Sequence, residues 1–67
     1  MDIIKKIENE RFELEFRLSK LILFLRKQME EQTVSDEQLG LLYLQHSCMK
    51  EYVDILNRRI NDLDEQR

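Results

Sequence analysis

The segment Val34-Ser35-Asp36-Glu37-Gln38-Leu39 carries the residue pattern of a helix start. Ser35 is a favoured N-cap residue, and Gln38 follows three positions later, as in a capping box. Val34 and Leu39 occupy the two positions of a hydrophobic staple. The pattern therefore predicts that a helix begins at about residue 36 and that the chain before it has just turned.

Each side of this segment reads as one long helix. Upstream, Asp2 is a suitable N-cap and the pattern predicts a first helix over about 2–32. Downstream, a second helix is predicted over about 36–64, so that the turn is left with 33–35. Because so short a connection joins antiparallel neighbours, the predicted fold is all-α, an antiparallel two-helix, coiled-coil-like hairpin forming the single domain 1–67.

Both predicted helices carry an apolar seam with steps of three and four residues. The seam of the first helix contains Ile7, Leu14, Leu18, Leu21 and Leu25, with Arg11 interrupting it, and that of the second contains Leu42, His46, Met49, Val53, Leu56, Ile60 and Leu63. A second apolar line runs beside each seam, through Phe12, Phe16 and Leu23 in the first helix and Leu41, Cys48, Tyr52 and Ile55 in the second. Since two helices alone cannot cover faces this wide, we expect a homo-oligomeric bundle, a dimer or a larger ring.

Oligomerisation is also expected from chain length. A chain of 67 residues buries only about 60% of its unfolded surface, so small domains usually need a disulfide, a metal or a partner. Cys48 is the single cysteine and His46 the single histidine, too few for an intrachain disulfide or a Cys/His zinc site. No metal or cofactor is therefore expected, and Cys48 is expected to be a small buried residue. The apolar run 21–25 is the predicted centre of assembly.

Several functional classes are disfavoured. A net charge of −3 argues against general nucleic-acid binding, and the longest apolar run is far shorter than a membrane span. The acidic start and single cysteine favour the cytoplasm. His46 and Cys48 are two residues apart on a helix and do not face each other. We therefore expect a protein that is not an enzyme, although an active site shared between subunits stays open.

The charges are unevenly distributed along the chain. The segments 16–29 and 38–50, here called the basic zone, contain five basic residues and no acidic one, whereas the rest of the chain has six basic and fourteen acidic residues. An antiparallel hairpin places these segments side by side. Together with Phe16, Phe24 and Tyr43, the zone suits a small anionic ligand with an aromatic base. Alternatively, its charges pair with the acidic ends of neighbouring subunits and set their register.

Two resemblances sharpen this expectation. The Leu21–Leu25 run and the stretch Met49–Ile60 resemble small helical proteins encoded by bacteriophages, including crAss-like phages. Leu42-Tyr43-Leu44-Gln45-His46, followed by Tyr52-Val53, is similar to the second helix of viral sponge proteins. The resemblance to sponge proteins implies an oligomer that sequesters cyclic nucleotide or cyclic ADP-ribose signals of anti-phage immunity in the host cytoplasm.

The leading hypothesis is therefore a phage counter-defence protein with ligand pockets between hairpins. Its predicted ligand-binding residues are Arg17, Lys20, Arg26 and Lys27 for phosphates and Tyr43 and His46 for bases. His46 has two other interpretations, a buried hydrogen-bonded core residue or a polar seam residue that fixes oligomeric state. The competing function is a homo-oligomeric structural or regulatory module of a phage that binds a protein partner.

Overall fold

The structure, a computed structural model, describes residues 2–66 as two α-helices packed against each other. Helix α1 spans Ile3–Glu30 and helix α2 spans Asp36–Glu65, against expected ranges of about 2–32 and 36–64. The hairpin measures 49 × 15 × 15 Å. The all-α, two-helix prediction is thus confirmed, while Met1 and Arg67 of the predicted unit 1–67 lie outside the described residues.

Both predicted N-caps are present. An Asp2 carboxylate oxygen accepts a hydrogen bond from the Ile4 N–H at 3.0 Å. The Ser35 hydroxyl accepts one from the Gln38 N–H at 3.1 Å. Each cap satisfies one of the N–H groups that the first helical turn leaves without an intrahelical partner.

The contact between the helices follows the predicted seams. Leu56 has no exposed surface and packs with Ile7 and Leu14. Other seam residues of α2 surround this cluster, namely Met49, Val53, Ile60 and Leu63. Arg11, which interrupts the α1 seam, donates a hydrogen bond from Nη1 to the Asn57 side-chain oxygen at 2.7 Å. The interruption is therefore a polar contact between the helices.

The second apolar lines are exposed. Phe12 is 73% exposed and Leu23 57%, and on α2 Leu44, a neighbour of the predicted line, is 64% exposed. Cys48 is also exposed, so the expectation that it is buried is wrong for the isolated hairpin. Cys48 lies outside the α2 seam. It stays exposed because α1 covers only the face of α2 that carries the seam.

The hairpin exposes more surface than a compact protein of its mass. Its accessible surface is 5570 Å² for a chain of 8.3 kDa, whereas a compact monomer of that mass exposes about 4,600 Å². The difference of about 1,000 Å² follows from the two-helix shape, in which each helix has only one neighbour.

Candidate functional site

Two side-chain contacts between the helices define the two long sides of the hairpin. On one side the Tyr52 hydroxyl donates a hydrogen bond to the Glu10 carboxylate. On the other, Asn57 accepts from Arg11. We call these the Tyr52 side and the Asn57 side. Every other residue can be assigned to a side by its distance along a helix of 3.6 residues per turn.

Arg17 and Lys20 lie on the Tyr52 side. Arg17 follows Glu10 by seven residues, close to two turns, and Phe24 follows after another seven. The Lys20 ammonium lies 4.6 Å from the centre of the Phe16 ring, a cation–π contact at the surface. Both basic residues are exposed and can meet an anion outside the hairpin.

Arg26, Tyr43 and His46 lie on the Asn57 side. Fifteen residues forward from Arg11 lead to Arg26, and fourteen back from Asn57 lead to Tyr43. The antiparallel helices therefore bring Arg26 and Tyr43 to about the same height on this side. Tyr43 is 45% exposed and His46, one turn further along α2, is half-buried.

The six predicted ligand residues therefore form two groups within one hairpin. Arg26 follows Arg17 by nine residues, about two and a half turns, so the two residues lie on opposite faces of α1 and about 13.5 Å apart along its axis. Lys27 follows Lys20 by seven residues, close to two turns, so it belongs with Arg17 and Lys20 on the Tyr52 side. One ligand can meet both groups only if a second hairpin completes the pocket.

A surface groove lies at the loop end of α1. It has a volume of about 660 Å³, within the range of small-molecule sites. Its lining residues are Phe24, Lys27, Gln28, Glu30, Glu31 and Thr33. Two carboxylates against one ammonium make the groove unfavourable for an anion. The groove contains only Lys27 of the six predicted ligand residues. It is large enough for a nucleotide, but its charge does not favour one.

A buried glutamine organises the loop beside this groove. The Gln28 side-chain oxygen accepts hydrogen bonds from the Thr33 N–H at 2.8 Å and the Val34 N–H at 3.3 Å. Its side-chain nitrogen donates to the Thr33 hydroxyl at 2.9 Å. Sequence reasoning missed this residue, although it stands three positions after Leu25 and thus continues the α1 seam.

The described residues show no arrangement that favours metal chemistry. Within 2–66, no three side chains of His, Cys, Asp or Glu are grouped so that they could hold a metal ion. Neither α1 nor α2 is long and apolar enough to cross a membrane. What the described surface offers is separate groups of cations with aromatic neighbours, which suit binding.

Comparison with known proteins gives one family. A protein-family model described as Sequestin matches residues 1–62. No curated protein and no solved structure shows significant similarity to the chain. Since the match covers nearly the whole chain, the chain belongs to the Sequestin family, whose name indicates a protein that sequesters.

Proposed function

We propose that this Sequestin-family protein binds and sequesters a cyclic nucleotide-type signal of anti-phage immunity without chemical change. The family match over residues 1–62 carries the proposal, because it indicates sequestration as the kind of activity. The ligand class comes from the basic zone and from the similarity of the Tyr43 region to viral sponge proteins. A phage-encoded protein of this kind acts in the cytoplasm of the bacterial host.

The exposed cations support a phosphate-containing ligand. Arg17, Lys20, Arg26 and Lys27 are all exposed in the hairpin. Arginine holds phosphate oxygens through two parallel N–H donors, and lysine adds a point charge. The basic zone itself contains no acidic residue, so among these cations the groove carboxylates Glu30 and Glu31 lie only beside Lys27.

The Asn57 side supports recognition of a base. Arg26 stands level with Tyr43, so a nucleotide can place its phosphate on the guanidinium and its base on the phenol ring. His46, one turn from Tyr43, offers a further donor or acceptor toward the base edge. Arg17 and Lys20, which lie on the other long side, would hold a second phosphate where a neighbouring hairpin brings them to the ligand.

A ligand panel tests this function. The protein is mixed with cyclic dinucleotides, cyclic trinucleotides and cyclic ADP-ribose isomers, and its melting temperature is recorded by circular dichroism. A ligand that binds only the folded form stabilises it by about 2.7 kcal/mol at 100 times its Kd. The bound ligand, released by heating and run on HPLC, should be intact. No shift with any member of the panel would overturn the proposal.

Matched variants connect the binding to the predicted residues. Arg26→Ala and Tyr43→Ala should each weaken the identified ligand's binding by tenfold or more while helicity is retained. Arg58→Ala is the control, because Arg58 is exposed, lies outside the basic zone and pairs with Asp54 at 3.0 Å. Equal effects of Arg26→Ala and Arg58→Ala would show that the predicted site is wrong.

The outer line of α1 favours a second candidate function. Phe12 and Phe16 are 73% and 56% exposed and border a groove of about 280 Å³ with Glu15 and Ser19. Exposed aromatic rings of this kind suit a protein partner, as in a structural or regulatory module. Phe12→Ser should leave ligand binding unchanged under the sponge function and abolish partner binding under the module function.

A further inference from the structure

Helix α2 carries a surface stripe whose spacing is the same in both directions. The stripe comprises seven positions, Glu37, Leu41, Leu44, Cys48, Tyr52, Ile55 and Arg59. The steps between them are four, three, four, four, three and four residues, so Cys48 is the centre of a palindromic pattern. Steps of three and four keep all seven positions on one face of the helix.

This α2 stripe is apolar in its middle and exposed throughout. Leu41 is 52% exposed, Leu44 64% and Ile55 50%. Cys48 is exposed as well. Tyr52 donates its hydroxyl to Glu10 and keeps 43% of its surface exposed, so the polar end is satisfied while the ring stays accessible. The hairpin itself covers none of these five side chains fully.

We propose that the α2 stripe binds the same stripe of a second copy, antiparallel, with the two Cys48 residues meeting on the two-fold axis. In that arrangement position i faces position 96 − i of the other copy. Leu41 then meets Ile55, and Leu44 meets Tyr52. At each end the Glu37 carboxylate of one copy meets the Arg59 guanidinium of the other. An isologous interface requires this kind of self-complementarity.

Charge selects the antiparallel pairing over the parallel one. A parallel pair would place Glu37 beside Glu37 and Arg59 beside Arg59, and would also bring the two basic zones together. Like charges at such positions are destabilising. In the antiparallel pair, segment 38–50, whose one charge is Lys50, faces segment 46–58, in which Glu51 and Asp54 balance Lys50 and Arg58, so two segments of like net charge do not meet.

The available surface matches a dimer interface. The hairpin exposes about 1,000 Å² more than a compact chain of its mass, and a standard interface buries about 800 Å² on each partner. A foreign partner would need to supply a complementary stripe with opposite end charges, whereas a second copy already has one. The interface does not depend on a nucleotide, so its test needs no ligand.

Cysteine crosslinking tests the two-fold axis. Diamide oxidises two facing thiols to a disulfide and takes up the two electrons and two protons released. The wild-type protein should give a dimer band that dithiothreitol reverses, and Cys48→Ser should give none. The matched control is Cys48→Ser combined with Ser47→Cys, which moves the thiol about 100° around α2. If the control crosslinks as well as wild type, the proposed axis is wrong.

A charge exchange tests the orientation. Glu37→Arg and Arg59→Glu should each weaken self-association about tenfold in sedimentation equilibrium, because each creates two like-charge contacts per dimer. An equimolar mixture of the two variants should associate about as tightly as wild type, since both end contacts are attractive again. A mixture no tighter than either variant alone would overturn the antiparallel pairing.

Discussion

Leu56 and Ile55 are neighbours on α2 with opposite surroundings. Leu56 has no exposed surface and packs on Ile7 and Leu14, whereas Ile55 is 50% exposed. Similar side chains thus serve two faces of the same helix. The face of Leu56 has its partner within the chain, and the face of Ile55 has none in the hairpin.

The polar residues on the two faces differ in the same way. Two polar side chains of the α1 seam are hydrogen-bonded inside the hairpin, Arg11 to Asn57 and Gln28 to the loop backbone. The α2 stripe instead ends in Glu37 and Arg59, which are both exposed. The α1 seam thus pairs these polar groups within the chain, while the stripe ends in charges that would suit the proposed second copy.

The largest effect is expected from Leu56→Ala. Truncating a fully buried leucine costs about 2–5 kcal/mol, because the apolar contact is lost and a cavity is left. Ile55→Ala is the matched control. It should weaken self-association and leave helicity nearly unchanged. Urea unfolding followed by circular dichroism, at several protein concentrations, measures both. Equal loss of helicity in the two variants would mean that the seam does not dominate the fold.

Leu44→Glu should prevent association through the α2 stripe. Each dimer buries two copies of Leu44, so the change should weaken association by about 2–4 kcal/mol, at least thirtyfold in Kd. Sedimentation velocity should show a helical monomer. Met29→Glu is the control, since Met29 is 78% exposed and belongs to neither the seam nor the stripe. A dimer that tolerates Leu44→Glu would place the interface elsewhere.

The sequence allowed the fold to be predicted because its signals are local. The Ser35 cap and the steps of three and four residues depend only on neighbours along the chain, and both are present in the structure. Burial of Cys48 was predicted wrongly for a related reason. Periodicity shows that a face is apolar, but which of two apolar faces meets the other helix depends on the tertiary packing.

The candidate site was less predictable for the same reason. Charge content identified the basic zone, and the spacing of nine residues already puts Arg17 and Arg26 on opposite faces of α1. Which side of the hairpin each residue shares with α2 becomes clear only when Tyr52 and Asn57 mark the two sides. How the two groups would combine around one ligand depends on the proposed assembly of hairpins, and the binding role of the six residues stays a prediction.

Gln28→Ala should destabilise the loop end of the seam by about 1–3 kcal/mol. The change leaves the Thr33 and Val34 N–H groups without their acceptor in a partly buried place. Amide exchange at these two residues should accelerate, and the urea midpoint should fall. Gln32→Ala removes an exposed glutamine that bonds Val34 and Asp36 and should cost less than 1 kcal/mol. The reverse order would show that burial of Gln28 is unimportant.

Gly40→Ala should give the smallest effect and the opposite sign. A Cβ atom at Gly40 meets nothing within 4 Å, so alanine adds helix propensity of about 0.5–1 kcal/mol without a clash. Gly40 lies at the edge of the α2 stripe, so a methyl group added there would report whether the proposed second copy comes close. A higher urea midpoint with unchanged association places the interface beyond this position. Weaker association with unchanged helicity would instead show that the second backbone approaches at Gly40, and the register centred on Cys48 would have to shift toward the loop.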